Sequence, residues 1–281
     1  MIPAYLYQYT SMNSVLAILE NKTIRFTRLD SLNDLNEGCC GEYAHLKKYV
    51  YISSWSADER ESIPMWSLYG RDKKENVLDQ GVRIKVPTNL FTFDGNGGLK
   101  EELALNKVLN NWNVVTEVKT KDIELGEDVK EKLKDADLND YHFTRKEVVG
   151  PVKVDYISFA NYADRYSGIL KPGQHPGFYS FFPKDVGYEK VDDWAYENEY
   201  RFWMQYPYCK QIYGSGGVLK NDVSFTKYPY IDVFYNEKAI PEMEIMLAPN
   251  FNVSLVETFK SELEKRGFLK VLQKSALDVR M

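Results

Sequence analysis

Short strand-patterned segments recur along this chain, and helical periodicity interrupts them only at separated points. The regular strand–helix–strand rhythm of a parallel sheet is missing, which constrains the fold to an α+β type with mixed, mostly antiparallel sheets. The first strand candidate, Tyr5 to Tyr9, is aromatic at alternate positions. Thr10-Ser11 then offers a cap for a helix over 12–20, whose apolar residues at 12, 15, 16 and 19 share one face, and Asn21 offers a stop. Further strands are expected over 23–27, 49–54, 81–86, 151–159, 199–205, 231–235, 244–248 and 268–272. Residues 30–38 are turn formers. Near the end, Ser254-Leu-Val-Glu257 reads as a capping box, Leu255, Phe259 and Leu263 line one helical face, and Gly267 closes that helix.

One stretch breaks the pattern. Leu99, Leu103, Val108, Leu109 and Trp112 fit a helical face, and Thr116 to Asp140 is dense in Lys, Asp and Glu. Such a charge run is ordinarily solvated, so residues 97–150 are expected to form a charged surface insertion in a single domain spanning 1–281. Apolar residues at 44% and charged residues at 27% exclude a disordered tail or a collagen-like fibre. With 36 Lys and Arg against 41 Asp and Glu the net charge is −5, which argues against a protein that coats nucleic-acid phosphates. No run approaches the roughly 18 uncharged apolar residues of a membrane span, so no membrane association is expected. The start, Met1-Ile-Pro-Ala-Tyr5, lacks the basic and apolar regions of a signal peptide, and Cys39, Cys40 and Cys209 are too few for a disulfide framework. A cytoplasmic, reduced chain is the simplest expectation.

Metal and hydrolase motifs do not stand up. His45, His142 and His175 lie far apart, Cys39-Cys40 with His45 lacks ligand spacing, and no Gly-x-Ser-x-Gly elbow occurs. No metal is therefore expected. Gly95 to Gly98 and Gly214 to Gly217 lack the Lys-Ser/Thr of a phosphate loop and read as turns. The unusual feature is aromatic: 21 Tyr, 14 Phe and 5 Trp. Several of these fall in three polar-aromatic segments, namely Tyr7-Gln-Tyr9-Thr10, Tyr51-Ile-Ser53-Ser54-Trp55-Ser56 with Met65-Trp66-Ser-Leu-Tyr69-Gly70, and Trp194-Ala-Tyr-Glu197-Asn-Glu199-Tyr-Arg201. On a strand, Glu197, Glu199 and Arg201 would share one face, with Trp194 in the turn before them. A Glu–Arg set among aromatic residues is either a site or a specific structural tie, since burying it costs desolvation. Tyr7, Tyr9, Trp66 and Tyr69 equally suit core packing, and Asn33, Asp34 and Glu37 most simply cap a turn.

Taken in order, these segments carry a resemblance. The opening Tyr7-Gln-Tyr9-Thr10 strand and helix, Phe26-Thr27, Asn33-Asp34 with Glu37, Ser53 to Ser56, Met65 to Gly70 and Tyr196 to Arg201 together resemble the bacterial domain of unknown function 2971 family. The match covers most of the chain, with 97–150 least typical. Leu35 follows Asn33-Asp34 where that family often has Pro, and Ile52-Ser53-Ser54 stands where it usually has Cys-Phe-Ser. The family name carries no activity.

The same elements are more distantly similar to ADP-ribosyltransferases, which set an early strand, a Ser-rich or aromatic element and a late Glu-x-Glu strand around NAD. That resemblance implies NAD as substrate and a split sheet, with Glu199 as the catalytic carboxylate near the nicotinamide ribose and Glu197 as the acceptor-side base. It implies that Ser53 and Ser54 position a carboxylate, that Tyr7, Tyr9 and Thr10 contact the dinucleotide, and that Trp66 and Tyr69 wall the pocket. Arg201 joins the cofactor-binding set or neutralises Glu197 or Glu199. An early-strand Arg or His is absent, and Arg25 or Arg28 are the substitutes. A role in host–virus conflict, acting on a protein or nucleic-acid acceptor, follows from the class alone. The alternative is a non-enzymatic binding module whose aromatic cleft recognises a nucleotide, a nucleic-acid end or a partner protein, since stacking is worth about 1–3 kcal/mol per base.

Overall fold

The computed structural model describes residues 2–35, 37, 47, 50–70, 80–91, 148–161, 171–172, 179–180, 187–205 and 229–277. The expected insertion apart from 148–150, both Gly-rich segments, the three cysteines and the three histidines lie outside the described residues. The elements in chain order are β1 (Tyr5–Ser11), α1 (Met12–Asn21), β2 (Thr23–Arg28), β3 (Val50–Ser56), α2 (Ile63–Tyr69), β4 (Gly81–Pro87), β5 (Val149–Lys153) and β6 (Asp155–Ile157). They continue with β7 (Lys171–Pro172), β8 (Tyr179–Ser180), β9 (Glu189–Val191), β10 (Glu199–Gln205), β11 (Tyr230–Phe234), β12 (Glu244–Leu247), α3 (Val256–Lys265) and β13 (Gln273–Lys274).

The architecture is α+β, with a mostly antiparallel sheet and few helices. Its main sheet runs β11-β2-β3-β1-β4-β12-β13, with β10 added on β3 and β5 on β10. Among the described residues, parallel pairing is confined to β12 with β13 and to the separate β6–β9 pair. The centre is β3. It pairs along its whole length with β10, from Glu199 opposite Ser56 to Gln205 opposite Val50. Because β10 covers one edge completely, β1 and β2 share the other: β2 takes Tyr51 and Ile52, and β1 takes only Ser56. The two strands therefore part beside residues 53–55, where Gln8 Nε2 reaches across to the Ser54 carbonyl at 3.1 Å. Below the sheet, α1 and α3 cover a core that includes Leu6, Phe26, Ile84, Phe202 and Phe259.

Local chemistry explains the ends of these elements and corrects several expectations. Ser11 caps α1 by accepting from Ser14 N at 3.2 Å, and the left-handed stop is Lys22 (φ 56°) rather than Asn21. The capping box at Ser254 does not form. Asn252 accepts from Ser254 N at 3.0 Å and from its hydroxyl at 2.8 Å, so a 3-10 turn over Val253–Leu255 precedes α3. Residues 268–272 are not a strand: Phe268 is in the core, Leu269 and Val271 point to solvent, and pairing begins only at Gln273. The 151–159 strand divides at buried Val154: its N–H still bonds Glu199 O beside β10 at 2.9 Å, whereas Asp155 N turns to Tyr188 O at 2.8 Å and pairing with β9 begins. Glu197 is not on the strand with Glu199 and Arg201, a correction that bears directly on the charged segment. It ends the 3-10 turn Asp192–Glu197, and Asn198 (φ 41°) turns the chain into β10. No helix among the described residues is long and apolar enough to cross a membrane.

The end of α2 is set by a backbone contact. A Cβ on Gly81 would stand 1.9 Å from Gly70 O, the carbonyl of the residue that caps α2, and 3.2 Å from Ala248 Cβ. A carbonyl held by its own chain cannot swing aside like a side-chain tip. Gly81→Ala should therefore shift α2 and cost about 1–3 kcal/mol, the usual range for overpacking, read as a lowered urea midpoint at unchanged slope.

Candidate functional site

A cavity of about 150 Å³ opens where β1 and β2 part, beneath the segment after β2. Tyr7 and Tyr9 reach it from alternate positions of β1, Ser54 and Ser56 from β3, and Met65 and Tyr69 from α2. Asn33 and Glu37 close one side, and Lys190, Glu197, Glu199 and Arg201 form the inner wall. Tyr9 is held in place from three directions. Its ring meets Trp66 edge-on with centroids 4.8 Å apart, its hydroxyl accepts from Ser62 N at 2.9 Å, and Arg83 Nη1 lies 3.4 Å from the same oxygen. Arg83 also lies over the Tyr7 ring at 4.7 Å, so that ring already carries a cation on one face.

The inner wall is a buried charge network. Arg201 grips Glu199 with both arms of its fork, Nε to Oε1 at 2.7 Å and Nη2 to Oε2 at 2.9 Å, and donates from Nη1 to Gly187 O at 2.6 Å. Its Nη2 also faces Glu37 Oε1 as an ion pair, although the Glu37 carboxylate accepts no well-angled hydrogen bond among the described residues. Lys190 donates to Glu197 Oε2 at 2.6 Å and lies 3.5 Å from Glu199 Oε2. The other Glu197 oxygen accepts from Tyr69 OH at 2.6 Å, and Asn33 Nδ2 donates to that hydroxyl at 2.9 Å. Exposure is 0% for Arg201, 1% for Glu37, and 3–4% for Lys190, Glu197 and Glu199.

Burial without equal compensation separates the three carboxyls chemically. Burial raises Glu199, but Arg201 and then Lys190 outweigh it, helped by hydrogen bonds from Arg201 and Ser54, and hold the group at about 2. Burial also raises Glu197, and there Lys190 only partly offsets it while the Glu199 charge adds to the rise. Glu37 is pushed up to about 7, because burial exceeds the combined pull of Arg201 and Lys190. Burial works against the charged form of Lys190, yet Glu199, Glu37 and Glu197 together raise its value. The Tyr69 hydroxyl is pushed up by burial and then by Glu197, so it is a donor and not a base.

Of the residues singled out from the sequence, Tyr7, Tyr9, Ser54, Tyr69, Glu197, Glu199 and Arg201 meet at this cavity. Three do not. Ser53 is not a lining residue; it accepts from the indole Nε1 of Trp55, which does border the cavity, at 2.9 Å. Trp66 is fully buried behind Tyr9 and donates to Glu61 Oε2 at 3.0 Å. Thr10 lines a second cavity of about 300 Å³, formed with Ser14, Arg25 and Asp232, that shares Gln8 and Tyr9 with the first. Arg25 faces that second cavity, paired with Asp232 at 2.9 Å. Lys190 gives no signal in the sequence, because a lone Lys beside Glu189 looks like a solvated strand residue. Glu37 reads as part of a capped turn, and its proximity to Asn33-Asp34 gives no sign of the Arg201 contact. No protein-family model, curated protein or solved structure matches this chain.

The carboxyls should be visible in stability. Between the ordinary 4.5 and about 7 the folded state keeps the Glu37 proton that the unfolded chain releases, so its contribution is whole below that window and lost as pH rises through it. Glu199 runs the opposite way: its contribution is whole above 4.5 and lost as pH falls towards about 2. Urea unfolding from about pH 5 to 7.5 should therefore show less loss of stability for Glu37→Gln than for the wild type. Arg201→Met, which strands Glu199 and Glu37 without their cation, should cost about 3–5 kcal/mol at neutral pH in the same assay.

Proposed function

We propose that the cavity holds the nicotinamide end of NAD and that the protein transfers ADP-ribose from it to an acceptor nucleophile. The observation that carries this reading is the opposite tuning of Glu199 and Glu197 within one cavity, because environments that push two carboxyls apart assign them different tasks. In the reaction the bond between the ribose C1′ and the ring nitrogen breaks, and nicotinamide leaves with the electron pair. Positive charge passes to the ribose, where an ionised Glu199 lowers its energy. The acceptor then bonds to C1′ and gives its proton to Glu197, whose raised affinity suits a base. Tyr7, Tyr9 and Tyr69 wall the ring. The second cavity, which shares the lining residues Gln8 and Tyr9 with the first, would take the rest of the dinucleotide against Thr10, Ser14 and Arg25.

One further feature supports the reading: β1 and β2 pair with different parts of one β3 edge, a local parting of the kind the proposed split-sheet architecture would need. Membership of the domain of unknown function 2971 family is proposed on the resemblance of the motif order alone, and that name adds no activity to the reading. A role in host–virus conflict rests on the class resemblance alone. One observation favours the competing binding module: the Glu199 carboxylate is committed to Arg201 on both oxygens, which leaves it little freedom to follow a reacting centre.

Labelled NAD incubated with cell extract distinguishes the two. Wild type should transfer label, and Glu199→Gln and Glu197→Gln should each lower the rate by about a hundredfold or more while melting as folded proteins. Nicotinamide release without transfer would make the protein a glycohydrolase. Absence of NAD binding by calorimetry would overturn the reading in favour of the binding module.

A further inference from the structure

We infer that this cavity selects a flat cationic group over its neutral counterpart, with the Glu37 carboxylate as the charge held in reserve for it. The inference rests on reading the cavity as a nicotinamide site, and adds which form of the ring is recognised and by which residue. The charges that line the cavity do not balance. Glu37, Glu197 and Glu199 face Lys190 and Arg201, so three acids meet two bases and one negative charge is in excess.

The excess can be located. Arg201 spends Nε and Nη2 on Glu199 and Nη1 on Gly187 O. Lys190 spends its short bond on Glu197, whose other oxygen is taken by Tyr69. Two pairs thus close on themselves. Glu37 is ion-paired with Arg201 as that guanidinium's second acid, on the same Nη2 that serves Glu199, is 1% exposed, and its carboxylate has no other partner and no well-angled hydrogen bond among the described residues. A buried carboxylate that shares its one cation with another acid gains by keeping its proton or by meeting a further cation. A neutral ligand leaves it protonated, whereas a cationic ligand supplies what it lacks. Its proton is held up to about 7, consistent with a group that is half-committed near neutrality.

The aromatic walls alone would not discriminate. Arg83 already lies over the Tyr7 ring, and Tyr69 turns its hydroxyl to Glu197, so the rings supply flatness and the carboxylate supplies the charge preference. A pyridinium ring fits this description. When its bond to ribose breaks it becomes neutral, and the cavity then loses its preference for what it holds, which assists release of the leaving group.

The test compares nicotinamide with its ring-methylated pyridinium cation, 1-methylnicotinamide, by calorimetry on the wild type and Glu37→Gln. The cation should bind the wild type at least about tenfold more tightly, and the preference should shrink to about twofold in the variant. Equal binding by the wild type, no binding of the cation, or a preference that survives in Glu37→Gln would each overturn the inference. A second measurement covers a variant that fails to fold. Near pH 7 the wild type should release about half a proton on binding the cation and none on binding nicotinamide, read from buffers of different ionisation enthalpy. The titratable and charged groups that share the cavity with Glu37 are Arg201, Lys190, Glu199, Glu197 and Tyr69; burial also raises Glu197, so loss of the release in a folded Glu37→Gln variant assigns the proton to Glu37. No release would also overturn the inference. NAD binding without cation preference defeats this inference alone; cation preference without NAD binding defeats the NAD reading and leaves a cation-binding cavity.

Discussion

Arg201 sits fully buried on β10, and the rest of the site is arranged around the cost of that burial. A guanidinium cannot give up its proton to escape a low-dielectric position, so acids and carbonyls must come to it. Glu199 answers from two residues away on the same strand face, and Gly187 O from the turn before β9. A second acid arrives from sequence far upstream in Glu37. Once two acids crowd one cation, a second cation is needed, and Lys190 enters with Glu197 as its own partner. Each charge makes the next one necessary.

Such a cluster is a poor way to gain stability. Attraction inside a protein roughly repays desolvation, and replacing buried ion pairs with apolar residues is often neutral or stabilising by about 1–4 kcal/mol. The apolar core under α1 and α3 is extensive without it. What the network does achieve is placement. It fixes a turn (Asp192–Glu197), a strand (β10), the segment carrying Glu37 and helix α2 around one small cavity, through bonds that tolerate little displacement. The aromatic excess has a related cause. Tyr9 OH accepts from Ser62 N, Tyr69 OH donates to Glu197, and Tyr156 OH accepts from Glu199 N, so these rings pack while their tips tie polar groups in place. Phe would fill the same space and leave each of those partners unmet.

How much of this is legible in the sequence depends on the range of the interaction. Period-two alternation places Tyr7 with Tyr9 and Glu199 with Arg201, because pleat geometry is local. The same alternation, applied more strictly, puts Ser53 with Trp55 on the core side and leaves Ser54 for the cavity. Glu197 reads as a strand residue only because Glu-Asn-Glu continues the alternation on paper. Nothing local announces that Asn198 adopts a left-handed conformation, although Asn is among the residues that tolerate it best. Apolar residues over 268–272 mislead in a similar way, since the strand partner, β12, is occupied only from Gln273.

The contacts that cross the chain are beyond the reach of local pattern for a physical reason. Whether Lys190 or Glu37 faces water or another charge is decided by where β9 and the segment after β2 end up relative to β10, and that depends on sheet order. The order itself turns on one strand. Because β10 claims the whole of one β3 edge, β1 and β2 must divide the other, and the divergence between them is what leaves room for a cavity at Ser54. A cavity formed this way exposes the pleat's polar face and the carbonyl row of β3 to whatever enters. Gln8 closes one of those carbonyls, and the buried charges stand immediately behind. The same strand pairing that opens the space thus also determines that its inner wall is ionic, because β10 brings Glu199 and Arg201 along the opposite edge of β3 in register with Ser56 and Ser54.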